Sequence, residues 1–318
     1  MTDSAATVLL AGCGDVGTAL GLRLAERGVR AVGVRRRADA LPEPIEPVSL
    51  DLTDPGEAVL PAADAVVVTL TADGRDATAY ERTYLGALRG LRRALSSDAA
   101  PRVVLVSSTG VLGGADGEVV TEATPPDPQR ATAHVLLAAE ELAAELFPDL
   151  VIVRPAGIYG PGRTSLIERV RTGEPVTHRR VTNRIHRDDL VTVLTAVLDA
   201  PEPPRLLHAV DHDAARLGDV VTHLAGRLGV AVPADNSPAG DGPLGKIIDG
   251  ALVHSLVPRS RWRYPTFREG YDALVGTASS SSEKCDADVG RASGAAAERD
   301  SATGRGASSD ATTESRGA

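Results

Sequence analysis

Between Thr7 and about Val153 the chain alternates short, almost wholly apolar runs rich in β-branched residues with longer stretches whose apolar positions recur at helical spacing. That alternation is the pattern of βαβ units, in which strands covered on both faces form a parallel sheet. The apolar runs predict strands over Val8 to Ala11, Ala31 to Val34, Pro47 to Leu50, Ala65 to Thr69, Arg102 to Val106 and Leu150 to Val153. Helices are predicted over Val16 to Arg27, Ala77 to Leu95 and Ala131 to Leu146. The runs Ala65-Val66-Val67-Val68 and Val103-Val104-Leu105-Val106 lack the two-residue alternation of a half-exposed strand, which places them at the centre of the sheet.

Beyond Arg154 the regularity weakens into a Pro/Gly loop from Pro155 to Gly162, a short helix, a helix over Asp188 to Leu198 and a strand over Leu206 to Val210. The expected architecture is therefore α/β: a doubly wound Rossmann sheet over 1–154, with returning elements about 186–211. A smaller, interleaved substrate-side lobe is expected over 155–276. From Thr277 to Ala318 the residues are Ser, Ala, Gly, Thr and charged, too polar to offset the entropy of ordering, and a disordered tail is expected there.

Composition narrows the function classes. With 42% hydrophobic and 24% charged residues the chain is an ordinary globular protein. It has no basic n-region before Val8 and no apolar run of spanning length, so a cytoplasmic protein without a membrane partner is expected. A net charge of −9 argues against nucleic acid, for which only Arg35 to Arg37 and Arg179-Arg180 speak. Cys13 and Cys285 stand in a glycine loop and in the polar tail, which leaves no disulfide framework.

The chemistry begins at Gly12-Cys13-Gly14-Asp15-Val16-Gly17, a G-x-G-x-x-G loop between a strand and an amphipathic helix. Gly12 allows the tight turn, Gly14 has no Cβ to block a pyrophosphate, and Gly17 lets the helix approach the strand. The helix N-terminus then offers free N–H groups to the phosphates. The alternative is a glycine-rich turn that binds nothing.

NAD is usually selected by a carboxylate closing the second strand, about 20 residues beyond the loop. Here the run is Val34-Arg35-Arg36-Arg37, and guanidiniums at that place suit a 2′-phosphate. NADP is the expected cofactor, with NAD as the alternative and a solvated arginine turn as the plain reading. Asp51 in Leu50-Asp51-Leu52 is placed to accept from the adenine amino group, with the Leu52 backbone completing the contact; otherwise it caps the turn before Asp54-Pro55.

Taken with Val106-Ser107-Ser108-Thr109-Gly110-Val111, the segment Val153 to Gly162 and Asn183-Arg184-Ile185-His186-Arg187-Asp188-Asp189-Leu190, these pieces resemble the extended short-chain dehydrogenase/reductases, specifically the NAD-dependent epimerase/dehydratase family, over about Val8 to Leu274. The resemblance implies that Ser108 and Thr109 orient a substrate hydroxyl or carbonyl. It extends the expected cofactor contacts from Gly12, Gly14, Asp15, Val16, Gly17, Arg35, Arg36, Asp51 and Leu52 to Thr69, Leu70, Pro155 and Ile158. Ser107, Tyr159, Arg163 and Arg184 are the implied substrate pocket. The His186, Asp188, Asp189 group matches a turn and helix start in the family, with Asp188 or Asp189 near an N-cap. The His208, Asp211, His212, Asp213 group reads as a polar strand exit, so no metal is assigned.

The family's acid/base pair, Tyr-x-x-x-Lys on the next helix, is missing: Gln129 to Glu140 holds neither residue, and the chain's two lysines, Lys246 and Lys284, lie far downstream. His134, four residues after Arg130 on one helix face, is the candidate substitute, beside a plain structural or solvated histidine. The expected function is an NADP-dependent oxidoreductase or epimerase acting on a hydroxyl or carbonyl of a small, sugar-like substrate. The alternative is an inactive NADP(H)-binding sensor or structural protein. A homodimer through the helices carrying Tyr84 and Leu136 follows from family analogy.

Overall fold

The computed structural model describes residues 6–96 and 100–276; the expected disordered tail lies outside the described residues. The chain begins with strand β1 (Thr7–Ala11), helix α1 (Asp15–Ala25), β2 (Arg30–Arg35), β3 (Glu46–Ser49) and β4 (Ala65–Val68). Helix α2 (Ala77–Tyr80) passes through a π turn (Glu81–Gly86) into α3 (Ala87–Ala94). Then come β5 (Arg102–Val106), a 3-10 turn (Thr109–Val111), β6 (Val119–Val120), α4 (Ala131–Leu146) and β7 (Leu150–Pro155).

The C-terminal part contributes β8 (Gly157–Tyr159), α5 (Ser165–Arg171), β9 (Val181–Thr182), β10 (Arg184–His186), α6 (Arg187–Asp199) and β11 (Leu206–Ala209). It ends with β12 (Ala215–Arg216), α7 (Leu217–Leu228), β13 (Ile247–Ile248), α8 (Ala251–Leu256) and a helix α9 over 267–276.

Among the described residues, seven strands form one parallel sheet in the order β3-β2-β1-β4-β5-β7-β11. The chain starts at β1, winds out to β3, then crosses back to β4 on the other side. That reversal opens a crevice at the C-terminal ends of β1 and β4, where doubly wound sheets take their ligands. Central strands are buried on both faces, and alternate residues feed two cores. Leu10 and Val67 pack with Leu20, Leu24, Leu190 and Leu194 of α1 and α6, while Leu9 and Val66 pack with Leu88, Leu91, Ala139 and Ala143 of α3 and α4.

The strand and helix expectations hold within one or two residues, and the departures have local causes. The helix expected over Ala77 to Leu95 exists but is wound as a π turn in its middle. At the start of α6 the cap itself is His186, whose Nδ1 accepts from the Asp188 N–H at 3.1 Å, and Asp188 and Asp189 lie near it in the first turn as expected. The Asp189 carboxylate, buried, instead accepts from the Arg263 and Tyr264 N–H groups at 2.7 and 2.9 Å, tying the C-terminal segment to α6.

Residues up to Val275 form one compact unit. Its C-terminal lobe has its own core, built from Ile167 and Val170 of α5, Val220, Val221 and Leu224 of α7, and Phe267 and Tyr271 of α9. Tyr159 belongs to this core. Its ring lies 4.6 Å from Tyr271 and stands edge-on to His186 at 5.2 Å, and Gly270 leaves the room it needs. The short pairs β8 with β10, β9 with β12 and β6 with β13 bind the lobe to itself and to the sheet end.

Candidate dinucleotide site

The glycine loop runs from the end of β1 into α1. Gly12 takes φ +78°, and a Cβ there would stand 2.9 Å from a Leu70 methyl and 3.1 Å from its Cα. At Gly17 an added Cβ would lie 2.8 Å from Thr69 Oγ1, so α1 approaches the end of β4 more closely than any side chain permits. Thr69 in turn donates from that hydroxyl to the Gly12 carbonyl at 3.1 Å, pinning the loop. Gly14 differs: its nearest potential neighbour is the Gly12 carbonyl oxygen at 3.8 Å, and the space a Cβ would fill belongs to the cavity. The protein itself does not require a glycine at position 14, whereas a close-lying pyrophosphate would.

That cavity has a volume of about 800 Å³ and is open to solvent along the crevice. Its floor is Gly12 to Gly14, one wall is Val34 to Arg37 at the end of β2, and another is Leu50 to Thr53 after β3. Leu70, Thr71 and Asp73 follow β4, and Arg82 and Thr83 reach it from the π turn. A group with a flat base, a ribose and phosphates fits this lining: apolar Val34, Leu52 and Ala87, the arginines, and amide groups at the helix end.

The individual expectations sort as follows. Arg35 donates to the Cys13 carbonyl at 3.3 Å, and Arg37 is exposed at the rim. Arg36 is held by Asp73 through two 2.8 Å bonds. Asp51 lines the cavity while its Oδ1 accepts from the Thr53 N–H and hydroxyl at 2.9 and 2.8 Å, bonds that hold its carboxyl below the usual range. It thus caps the turn and faces the cavity together. Leu70 lines the cavity and Thr69 supports the loop from below. Asp15, first residue of α1, is paired with Arg163 at 2.8 Å and Arg187 at 3.0 Å. Arg163 therefore bridges the Pro/Gly loop to the glycine loop instead of standing free for a substrate.

Around β5 the hydroxyls are all engaged. Ser107 donates to Glu140 at 2.5 Å, Ser108 accepts from the Gly110 N–H at 3.0 Å, and Thr109 donates to the Pro155 carbonyl at 3.3 Å. Ser107 is a support for a buried ion pair: Glu140 of α4 and Arg154 of β7 meet at 2.6 Å with both side chains 4% exposed. Beside Arg154 in register lies His208, fully buried, its basicity pushed down to about 4 by burial. Ile158 packs at the edge of the core under α6.

Two expected pocket residues, Tyr159 and Arg184, and the expected catalytic candidate His134 do not line this cavity. Tyr159 is 4% exposed inside the C-terminal lobe, where burial pushes its phenol far up. Arg184 is 5% exposed, donates to Thr182 and stacks over Phe267, so it too is part of the lobe interior. His134 is exposed, and α4 instead turns Leu136 and Leu137 toward Val111, Leu112 and Ala156. Tyr84 and Leu136, on the helices expected to carry a dimer interface, are half-buried against the cores, and the Tyr84 hydroxyl donates to the Leu70 carbonyl at 3.1 Å.

Sequence reasoning missed three residues. Lys246 comes back from the far loop so that its Nζ donates to the carbonyls of Thr109, at 3.0 Å, and Leu112. Nothing local in the sequence announces a contact across 137 positions. Arg82 and the acidic Asp73 were also passed over, because the loop after β4 carries no motif.

A parallel sheet with its crevice at the β1/β4 reversal, a glycine loop open at Gly14 and arginines at the end of β2 define a dinucleotide-binding protein. A family model described as NAD(P)H-binding matches residues 12–201. The chain is 31% identical to a solved protein of Methylobacillus flagellatus assigned as an NAD-dependent epimerase/dehydratase, covering 86% of this chain and 99% of that one, with a TM-score of 0.70. It is 29% identical over 261 residues to Protein YeeZ of Escherichia coli K12, covering 77% of this chain and 92% of that protein. At 19% identity the human epimerase family protein SDR39U1, solved with NADPH, shares the fold over 85% of this chain and 99% of its own, with a TM-score of 0.68. The chain belongs to the NAD(P)H-binding proteins of the NAD-dependent epimerase/dehydratase family. Among the described residues no helix is long and apolar enough to cross a membrane, and no three His, Cys, Asp or Glu side chains converge as a metal site.

Proposed function

We propose that the protein is an NADP(H)-dependent oxidoreductase or epimerase that acts on a hydroxyl or carbonyl of a small, sugar-like molecule. The observation that carries this reading is the wall Arg35 to Arg37 beside the glycine loop, where a carboxylate selecting NAD would otherwise stand. Gly12, Gly14 and the N–H groups opening α1 would hold the pyrophosphate, Asp51 and Leu52 the adenine, and Arg35 and Arg36 the 2′-phosphate. The bound dinucleotide would supply hydride exchange.

Thr109 is the residue we assign to the substrate oxygen. It is buried in the turn just after β5, its hydroxyl needs only to leave the Pro155 carbonyl, and Lys246 steadies its backbone. The α4 side chains that pack on the cluster of Val111 and Leu112 beside this turn are the apolar Leu136 and Leu137, and we assign the helix no proton donor there. This apolar face also supports a second reading, a protein that binds NADP(H) without turnover.

The two readings separate in one experiment. Purified protein is titrated with NADPH by fluorescence, and cofactor oxidation is followed against a panel of carbonyl compounds. Turnover that falls at least tenfold in Thr109→Val with unchanged NADPH affinity, and is untouched in His134→Ala, supports the enzyme. Tight binding with no oxidation across the panel overturns it in favour of the second reading.

A further inference from the structure

The loop after β4 places a carboxylate where a phosphate is expected. Asp73 accepts from both terminal guanidinium nitrogens of Arg36 at 2.8 Å each, the fork geometry that arginine otherwise offers to a phosphate. Both side chains are exposed, at 61% for Arg36 and 43% for Asp73, and both line the cavity. Arg82 reaches the same rim from the π turn, and its charge acts on Asp73 through space. The π turn matters here: an extra residue per turn re-aims the helix surface, and such turns recur at binding sites. The rim thus holds Arg35, Arg36, Arg37 and Arg82 against Asp51 and Asp73, an excess of positive charge that a doubly charged phosphate would satisfy.

We propose that Asp73 is an internal stand-in for the ribose 2′-phosphate: it keeps Arg36 at the rim that Arg82 shares and yields Arg36 when a phosphomonoester arrives. The inference rests on the NADP(H) reading and adds to it two residues, Arg82 as a further specificity determinant and Asp73 as its competitor. Exchange is favoured because an exposed pair of this kind is weak, whereas a phosphomonoester carries nearly two charges and three acceptor oxygens. With both Asp73 oxygens bonded to Arg36, the proposal gives this carboxylate no part in binding a ligand that lacks the 2′-phosphate.

Calorimetry with adenosine 2′,5′-bisphosphate and 5′-AMP tests this without nicotinamide or turnover. In the unmodified chain the bisphosphate should bind more tightly than AMP; equal affinities would overturn the NADP(H) reading itself. Given that preference, Asp73→Asn should tighten the bisphosphate by about three- to fivefold, the worth of an exposed ion pair, and leave AMP unchanged. Arg82→Gln should weaken the bisphosphate by a similar factor, again without effect on AMP. A preference for the bisphosphate that neither substitution alters, or that Asp73→Asn weakens, would overturn the stand-in proposal alone. Inorganic phosphate as a competitor separates recognition of a free anion, which it would displace at low millimolar concentration, from recognition of the nucleotide, which it would not. Both variants carry exposed substitutions, and unchanged thermal unfolding checks that they fold.

Discussion

Alanine at each of the three loop glycines should separate folding from binding, because the same added methyl meets a different neighbour each time. At Gly17 the methyl would stand 2.8 Å from Thr69 Oγ1, which cannot swing away without leaving the Gly12 carbonyl. Overpacking of this sort costs about 1–3 kcal/mol. At Gly12 the backbone must hold φ +78°, costing about 1–2 kcal/mol for an L-residue, and the methyl also meets Leu70 at 2.9 Å. Gly14→Ala should stay within about 1 kcal/mol of the parent, since the nearest atom is at 3.8 Å and only a helix N-cap is altered. Urea unfolding followed by circular dichroism should therefore rank Gly14→Ala close to the unmodified protein and the other two well below it. Calorimetry with NADPH should rank them otherwise: Gly14→Ala, although folded, loses about tenfold or more in affinity, the effect of roughly 1.4 kcal/mol of steric intrusion by its methyl. A folded Gly14→Ala protein that binds NADPH like the parent would refute the placement of the pyrophosphate against this loop.

Two further outcomes follow from buried charge. Glu140→Gln leaves the Arg154 guanidinium buried without its counter-ion, and one of its nitrogens already lacks a partner, so stability should fall by about 3–5 kcal/mol in urea unfolding; a loss below about 1 kcal/mol would show that the pair is solvated. Asp211 is 3% exposed, and burial pushes its carboxyl up to about 8, partly opposed by the Asp213 N–H and by Arg184. The folded state then keeps a proton that the unfolded chain has lost, so this group's contribution to stability declines as pH rises from about 4 to about 8. Asp211→Asn cannot lose that proton, and the melting temperature of the variant relative to the parent should climb between pH 5 and pH 8. A difference that is flat or falls over that range would mean that Asp211 is ionised and paired.

What the sequence determined by itself is whatever depends on local pattern. Apolar runs such as Ala65 to Val68 are strands because only burial on both faces accommodates them, and the spacing of Gly12, Gly14 and Gly17 is a property of one turn between one strand and one helix. Arg35 to Arg37 were legible for the same reason, since the end of β2 is a fixed distance along the chain from the loop. The tertiary structure alone decided which side chains those elements meet. Tyr159 and Arg184 carry polar groups in segments that resemble a pocket, yet the packing of α5, α7 and α9 encloses them, and no local signal records which residues α9 will bring. Lys246 reaches Thr109, Arg163 reaches Asp15 and Arg36 meets Asp73 across loop closures, and contacts of that kind follow from the placement of whole elements around a shared core rather than from the residues beside them in the chain.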